Sequence, residues 1–435
     1  MRLRVFQATD GDCLLLSSDD DRHMLIDGGR SGSFKEHSAK SLSNLEALEV
    51  VCVSHIDADH ISGVLTLLEA EVDWRIHLFE KDNPPEDRQA KRKPSVPRPP
   101  RVKEIWHNGF SNQLGTEAGD VHNMLSLAAT AQLGLADSDA IPRERYFPDL
   151  VNGEEQGIEL SHRIGEDQLD VPLNDHFGGK LVRGDGGAGP FELGSAKVTI
   201  IGPFAKDLEN LQAQWRKWVD ANGGRLEDLR REMEGDAERL GLSEADVFIS
   251  TMRAIVASSS DFGNRDDVST PNLASIMFLA EGNDASVLLT GDGAGQDILN
   301  GLGRAGKLDE DGRIHVDILK IQHHGAKANI NLDFLKAVIA EHYVFSGNGA
   351  HTNPELGVID LVAKSRFGSD SQSSKHANVG DPFTLHFNSS QAAANTDART
   401  KHMAKVEEKV EDLTAASHGQ MTARFIQNDF LEINV

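Results

Sequence analysis

Short apolar runs that stop at a carboxylate or an imidazole recur along this chain. Met24-Leu25-Ile26 runs into Asp27-Gly28-Gly29, and Val50-Val51-Cys52-Val53 runs into Ser54-His55. Further on, Val287-Leu288-Leu289 leads to Thr290-Gly291-Asp292, Ile318-Leu319-Lys320-Ile321 to Gln322-His323-His324-Gly325, and Phe345 to a Gly-rich turn ending at His351. Runs of this length, closed by Gly, Asp or Ser, read as strands whose C-terminal ends deliver polar side chains into tight turns. Between them the pattern predicts helices over 61–70, 117–135, 293–302, 332–341 and 395–416. On the last of these, Met403, Val406, Val410 and Leu413 share one face. Further strands are predicted over 74–79, 102–110, 196–201, 314–321, 343–346 and 425–435. A hairpin-like pair, 275–279 with 286–290, is expected around the turn Glu281-Gly282-Asn283-Asp284. Residues 205–247 carry a charged helical pattern with Leu208, Leu211, Trp215, Trp218 and Val219, read as core or insertion packing.

The densest chemistry is Ser54-His55-Ile56-Asp57-Ala58-Asp59-His60. Two imidazoles and two carboxylates within six residues, directly after a strand, are how a divalent-metal site is built on the rim of a sheet. Two carboxylates and no thiolate suit a hydrolytic Zn or Mn better than a structural zinc. The plainer reading is a polar loop in which Asp59 caps the helix starting near Ile61. The Gly-rich run 183–189 has no following Lys-Ser/Thr and no preceding apolar strand, so it is not read as a phosphate-cradling loop.

Composition changes the picture in two places. At 435 residues the chain has room for one large domain with insertions or for two domains. We read it as one domain over 1–435, with insertions near 80–103, 111–190 and 205–247 and a C-terminal helix and strand over 395–435. The net charge of −25 opposes loose attraction to nucleic acid. Against it stands the stretch 88–103, with seven basic side chains, no acid, and prolines at 94, 97, 99 and 100 that forbid helix. Three readings are open for it: a solvated loop, an arm that meets phosphate backbone through residues such as Arg92 and Lys93, or a protease-sensitive regulatory loop. Cys13 and Cys52 lie in apolar runs and read as core residues. No charged leader and no apolar stretch of about 18 residues occurs, so a soluble, cytoplasmic protein without a membrane partner is expected.

In their order along the chain, these blocks resemble the metallo-β-lactamase fold family. More narrowly, the trio of HxDxDH at 55–60, LLTGD at 288–292 and LKxxHHG at 319–325, with the late His351, is similar to the nuclease domain of ComEC-type DNA-uptake proteins. The resemblance implies an α/β, four-layer αββα sandwich with helical and loop insertions. It also implies two divalent metal ions, Zn or Mn with Mg as a further candidate. His55 and Asp57 would hold the first ion, Asp59 and His60 the second, and Asp292 would bridge both. His324 or His323 would complete the second site. Adjacent residues on a strand point to opposite faces, so one of the two is the ligand, with a lean to His324, and the other orients it or meets substrate. Where the family commonly has His, this chain has Asp57, which hardens the site and tilts it toward Mn or Mg. The family's third His on the first metal has no match with strand-end context among His77, His107, His122, His162 and His176, each of which reads as a surface or core residue.

On this resemblance, Asp59 orients or deprotonates the attacking hydroxide, and His351 acts as general acid or phosphate contact. The alternative for His351 is a capping role before Asn353-Pro354. Lys320 stands at the edge of the substrate site at most, Asp27 braces the metal loop by bonding its backbone, and Asp12 has no assigned role. Three functions are then weighed: a two-metal nuclease on DNA, gated by its insertions or by a regulatory protein partner as in a phage-defence system; a small-molecule metallohydrolase acting on a nucleotide, phospho-headgroup, lactone or thioester; and a non-enzymatic scaffold.

Overall fold

The computed structural model of the chain describes residues 1–85, 89–108, 168–210 and 270–435, together with Gln156, Ala213 and residues 160–161 and 163–165. The predicted helix 117–135, most of the insertions 111–190 and 205–247, and His122, His162, Leu211, Trp215, Trp218 and Val219 lie outside the described residues.

Two sheets face each other. Among the described residues one has six strands, in the order Phe430–Asn434, Arg2–Phe6, Leu14–Ser17, His23–Ile26, Val50–Cys52 and Ile105–Trp106. The other has eight, in the order Met421–Phe425, Phe383–Phe387, Val338–Phe345, Ile314–Lys320, Ser286–Leu289, Met277–Glu281, Ala196–Gly202 and Phe191–Leu193. Leu3, Met24, Ile26, Val50 and Cys52 of the first meet Phe278, Val287, Ile318 and Val344 of the second in one buried apolar layer. A second layer joins the outer face of the larger sheet to the helices Gly295–Arg304, Leu332–Ala337, Leu356–Phe367 and Asp397–Ala416. A third joins the smaller sheet to Phe34, Leu42 and the helix Ala58–Asp82. The architecture is the αββα sandwich, with helix layers outside two packed sheets.

Strand direction places the chemistry. His23–Ile26, Val50–Cys52 and Ile105–Trp106 are parallel, so Asp27, Ser54-His55 and His107 emerge at one edge. Ser286–Leu289, Ile314–Lys320 and Val338–Phe345 are also parallel, and deliver Asp292, His323-His324 and Ser346 beyond their C-terminal ends. Polar groups outside the carboxyl ends of parallel strands form the usual ligand crevice of α/β folds.

Three predicted elements are corrected. The helix read as 61–70 followed by a strand at 74–79 is one helix, Ala58–Asp82. Trp74, Ile76 and Leu78 alternate as a strand would, but no Gly or Pro interrupts 70–82, and Glu71 pairs with Arg75 one turn on, 3.1 Å apart. The helix read as 332–341 stops at Ala337, because the β-branched Val338 and Ile339 join the larger sheet opposite Ile314 and His315. The last strand, read as 425–435, is two strands, Met421–Phe425 and Phe430–Asn434, one in each sheet. The segment 102–110 contributes only the short pairs Arg101–Val102 and Ile105–Trp106 among its described residues.

The larger sheet carries a buried histidine away from the crevice. His386 is 1% exposed, its Nε2 3.2 Å from Nδ1 of His342 on the neighbouring strand. Burial, then the nearby His342 and Arg424, pushes its pKa down to about 3. The folded protein therefore keeps His386 neutral while the unfolded chain protonates it near pH 6.5, so stability falls as pH drops from about 6.5 toward 3. Between pH 6.5 and 5 the loss is about 2 kcal/mol at 1.36 kcal/mol per pKa unit. Urea unfolding in EDTA at the two pH values should show a loss larger in the wild type than in His386→Leu by about this amount; equal losses would refute the assignment.

Candidate metal centre

The metal loop is held from below by Asp27. This residue sits at φ 57°, a left-handed conformation that Asp tolerates, and it turns its carboxylate back under the neighbouring strand end. Oδ1 accepts from the Ser54 backbone N–H at 2.7 Å, and Oδ2 accepts from Ser54 Oγ at 2.7 Å and from His60 Nδ1 at 2.8 Å. Helix Ala58–Asp82 begins beside it because two backbones touch. Gly28 N–H donates to His60 O at 2.7 Å and Gly63 N–H to Gly29 O at 2.8 Å. A Cβ on Gly63 would run into Gly28 backbone. Likewise a Cβ on Gly11 would collide with Asp59 O, so the Asp10-Gly11-Asp12 turn is pressed against the metal loop.

Asp292 lies at the centre. Its Oδ2 is 3.8 Å from His55 Nε2, 3.5 Å from His60 Nε2, 3.5 Å from His324 Nε2 and 3.7 Å from His323 Nε2. Asp57 Oδ2 is 3.5 Å from His55 Nε2, and Asp59 Oδ2 is 3.3 Å from His324 Nε2 and 4.0 Å from His60 Nε2. Ligand atoms of Asp12, His60, Asp292 and His324 all lie within 4.8 Å of one another.

Hydrogen-bond bookkeeping shows what this cluster fits. His60 Nδ1 is committed to Asp27 and His324 Nδ1 donates to Ser346 O at 2.8 Å, so both Nδ1 atoms carry the proton. The two Nε2 atoms then face each other 3.3 Å apart. Two lone pairs at that distance require a positive charge between them, either a proton or a metal cation. Among the described residues, His55 Nε2, Asp57 Oδ1, Asp292 Oδ1 and Asp12 Oδ1 are also buried without a hydrogen-bond partner. Imidazole nitrogens and carboxylate oxygens oriented this way fit a divalent cation.

The electrostatics agree. Burial opposes ionisation of Asp59 and Asp292, yet His60 and His324, with Arg30 beside Asp59 and His323 beside Asp292, hold both carboxyls well below the usual range. Burial likewise opposes charge on His60 and His324, but Asp292 and the other surrounding carboxylates push both well up. A cation entering this site displaces those protons. Beneath it lies a buried ion pair: Lys320 Nζ contacts Asp12 Oδ2, donates to Gly291 O at 3.0 Å and is 3.6 Å from Asp292 Oδ1. Burial lowers the Lys320 pKa less than Asp12 and Asp292 raise it. Burial likewise raises Asp12 less than Lys320, then His324 and His60, lower it.

The structure brings His55, Asp57, Asp59, His60, Asp292, His323 and His324 together, with Asp27 bracing them. His351 stands apart from the cluster, exposed at φ 50°, on the same cleft of about 110 Å³ as Asp57, Asp59 and Asp292. The strand-alternation argument for His323 and His324 does not apply. Both lie past the strand end in left-handed backbone, φ 45° and 55°, and both rings reach Asp292. Lys320 is 1% exposed and cannot meet substrate; it neutralises Asp12 and Asp292 instead. Arg92 and Lys93 are not brought to the cleft. Lys93 Nζ lies 5.5 Å over the ring of Trp74, which is about 22 Å along the helix from Asp59 at 1.5 Å per residue. In the same stretch Lys91 pairs with Asp73, Arg98 with Glu71 and Lys103 with Glu49.

Two residues set aside in the sequence belong here. Asp12 joins the cluster, and the repeated Asp around Gly11 was its signal. His107 follows the strand Ile105–Trp106 directly, beside Val53, whose N–H donates to Trp106 O at 2.9 Å. It is 1% exposed, neither ring nitrogen has a hydrogen-bond partner among the described residues, and burial pushes its pKa to about 4. Its strand is only two residues long, too short for a periodic signal.

Residues 7–124 match the family model described as the metallo-β-lactamase superfamily. A search of curated proteins returns no match. Among solved structures the chain is similar to Zn²⁺-bound PqqB from Methylobacterium extorquens, with 8% identity over 100% of both chains and a TM-score of 0.36. A likeness this distant carries no argument about substrate.

Proposed function

We propose, from the premise that this chain carries a metallo-β-lactamase superfamily domain, that it is a metal-dependent phosphodiester hydrolase, and that its substrate is DNA. The observation that carries the reading is Asp292 Oδ2, which lies 3.8 Å from His55 Nε2 and 3.5 Å from each of His60 and His324 Nε2, with Asp57 beside His55 and Asp59 beside His324. One carboxylate shared by two donor sets is the arrangement that holds a pair of cations.

His55, Asp57 and Asp292 would hold one divalent ion; Asp59, His60, His324 and Asp292 would hold the other. Zn or Mn suits the mixed nitrogen and oxygen donors, and the carboxylate share brings Mg within range. Such ions supply Lewis acidity to a phosphoryl oxygen and lower the pKa of water. The protein's own groups do the rest. Asp27 keeps the His60 proton on Nδ1, and Ser346 O does the same for His324. Asp59, with its side chain 17% exposed, orients the attacking water and takes its proton. His351, on the cleft wall, contacts the phosphate or protonates the departing oxygen. Gating by a regulatory partner, as in a defence system, belongs to the same reading.

A small phosphodiester is the second reading. The cleft of about 110 Å³ and the acid-paired basic stretch 89–103 favour it over a long nucleic-acid track. Supercoiled plasmid, a labelled single strand and bis-p-nitrophenyl phosphate should be incubated with protein in Mn, Mg, Zn or EDTA. An Asp59→Ala/His60→Ala variant runs alongside. Metal-dependent cutting of DNA that the variant loses is the expected result. Turnover of the small ester alone would transfer the assignment to the second reading, and no turnover in any metal would sink both.

A further inference from the structure

The mechanism above leaves His323 without a role, although its ring stands at the cleft, 30% exposed, with Nε2 3.7 Å from Asp292 Oδ2. Its other nitrogen is held by a residue that no motif marks. Asn329 is 2% exposed, and both ends of its amide are engaged: Nδ2 donates to the Asp292 main-chain O at 2.7 Å, and Oδ1 lies 2.8 Å from His323 Nδ1. Its main-chain O accepts from Gly295 N–H at 2.8 Å. The amide has one permitted orientation. A carbonyl only accepts, so the group facing Asp292 O must be the NH₂. The group facing His323 is then the oxygen, and His323 Nδ1 must carry the proton. An uncharged ring with its proton on Nδ1 presents a lone pair at Nε2. Asn272 Nδ2 lies 3.3 Å and 3.4 Å from the two ring nitrogens, nearly equidistant, so it approaches neither lone pair head-on.

We infer that Asn329 is a positioning residue. It locks His323 in the Nδ1–H tautomer, so that Nε2 faces the cleft as an acceptor beside Asp292, and it ties the Asp292 loop to the double-histidine turn with the same side chain. Nε2 of His323 therefore accepts: it binds a cation or the hydrogen of a water or hydroxyl group, and it does not donate to a phosphoryl oxygen. Its place in phosphodiester hydrolysis rests on the function proposed above; the tautomer does not.

The ¹⁵N shifts of the imidazole nitrogens report the tautomer directly, without metal or substrate. In metal-free protein, at a pH where the ¹⁵N shifts themselves show an uncharged ring, wild-type His323 should have Nδ1 protonated and Nε2 bare. Asn329→Ala should turn this into a mixture of tautomers. If the alanine variant does not fold, the wild-type ring alone tests the lock, because an uncharged ring protonated on Nε2 contradicts it. Loss of about 10-fold in kcat with little change in KM is expected for Asn329→Ala on a substrate the wild type turns over, in the range seen when outer partners of metal ligands are removed. An uncharged wild-type ring protonated on Nε2, or an unchanged tautomer in Asn329→Ala, would each overturn the inference. A tautomer that follows these expectations in a protein hydrolysing no phosphodiester would uphold it and reject only the proposed reaction.

Discussion

Asp292→Asn should strip the centre of bound metal while leaving the fold in place. Asparagine keeps the shape of the side chain but removes the charge that four imidazole nitrogens approach within 3.8 Å. Without it, the His55–Asp57 pair and the Asp59–His60–His324 group lose the carboxylate they share. Metal content after desalting, measured by mass spectrometry, should fall by at least half against the wild type. Hydrolysis should fall by more than about 100-fold, beyond the upper end of what removing an outer partner costs. The fold should persist because Lys320 keeps its contact with Asp12 and its bond to Gly291 O. A variant that retains full metal content would remove Asp292 from the shared position and with it the basis of the two-ion reading.

Lys320→Met should be the most destabilising single change near the site. The ammonium is 1% exposed and lies between Asp12, at 1% exposure, and Asp292, at 2%. Taking it away removes the ammonium from between two buried carboxylates and one of the donors to Gly291 O, which keeps the His323 N–H at 3.2 Å. Removing one partner of a buried pair costs about 3–5 kcal/mol, whereas replacing both by uncharged groups of similar size is often close to neutral. Urea unfolding in EDTA should therefore show a loss of that size for Lys320→Met, and the double variant Lys320→Met/Asp12→Asn should recover a substantial part of it. A single-variant loss below about 1 kcal/mol would mean the pair is hydrated and not a structural charge. The same argument explains why Lys320, placed from the sequence at the edge of the substrate site at most, has no access to substrate.

What could be read from the chain alone was everything carried by local pattern. Strand-length apolar runs ending in Asp or His identified Asp27, the 55–60 loop, Asp292 and the double histidine, because a strand that is buried on both faces shows itself as an unbroken apolar run. The αββα sandwich followed from the order of those blocks. Local pattern misled where two periods overlap: Trp74, Ile76 and Leu78 alternate within a helix, and the helix at 332 passes into a strand without a breaker.

Tertiary structure decided what depends on residues distant in sequence. The Asp10-Gly11-Asp12 turn reaches the metal loop only because Gly11 packs on Asp59. His107 stands beside Val53 only through the parallel pairing of Cys52 with Trp106. Asn329 speaks to Asp292 and His323 across a loop with no periodicity to mark it. The basic stretch 88–103 has charge that any reader of the chain can see. Lys91 and Arg98 pair with acids on the far half of the helix Ala58–Asp82, where the Trp74 indole N–H donates to Val96 O and Glu80 accepts from the Lys91 N–H. A sequence specifies which groups can ligate, and the packing of two sheets face to face determines which of them meet, since hydrogen-bond and coordination geometry tolerate errors of only a few tenths of an ångström.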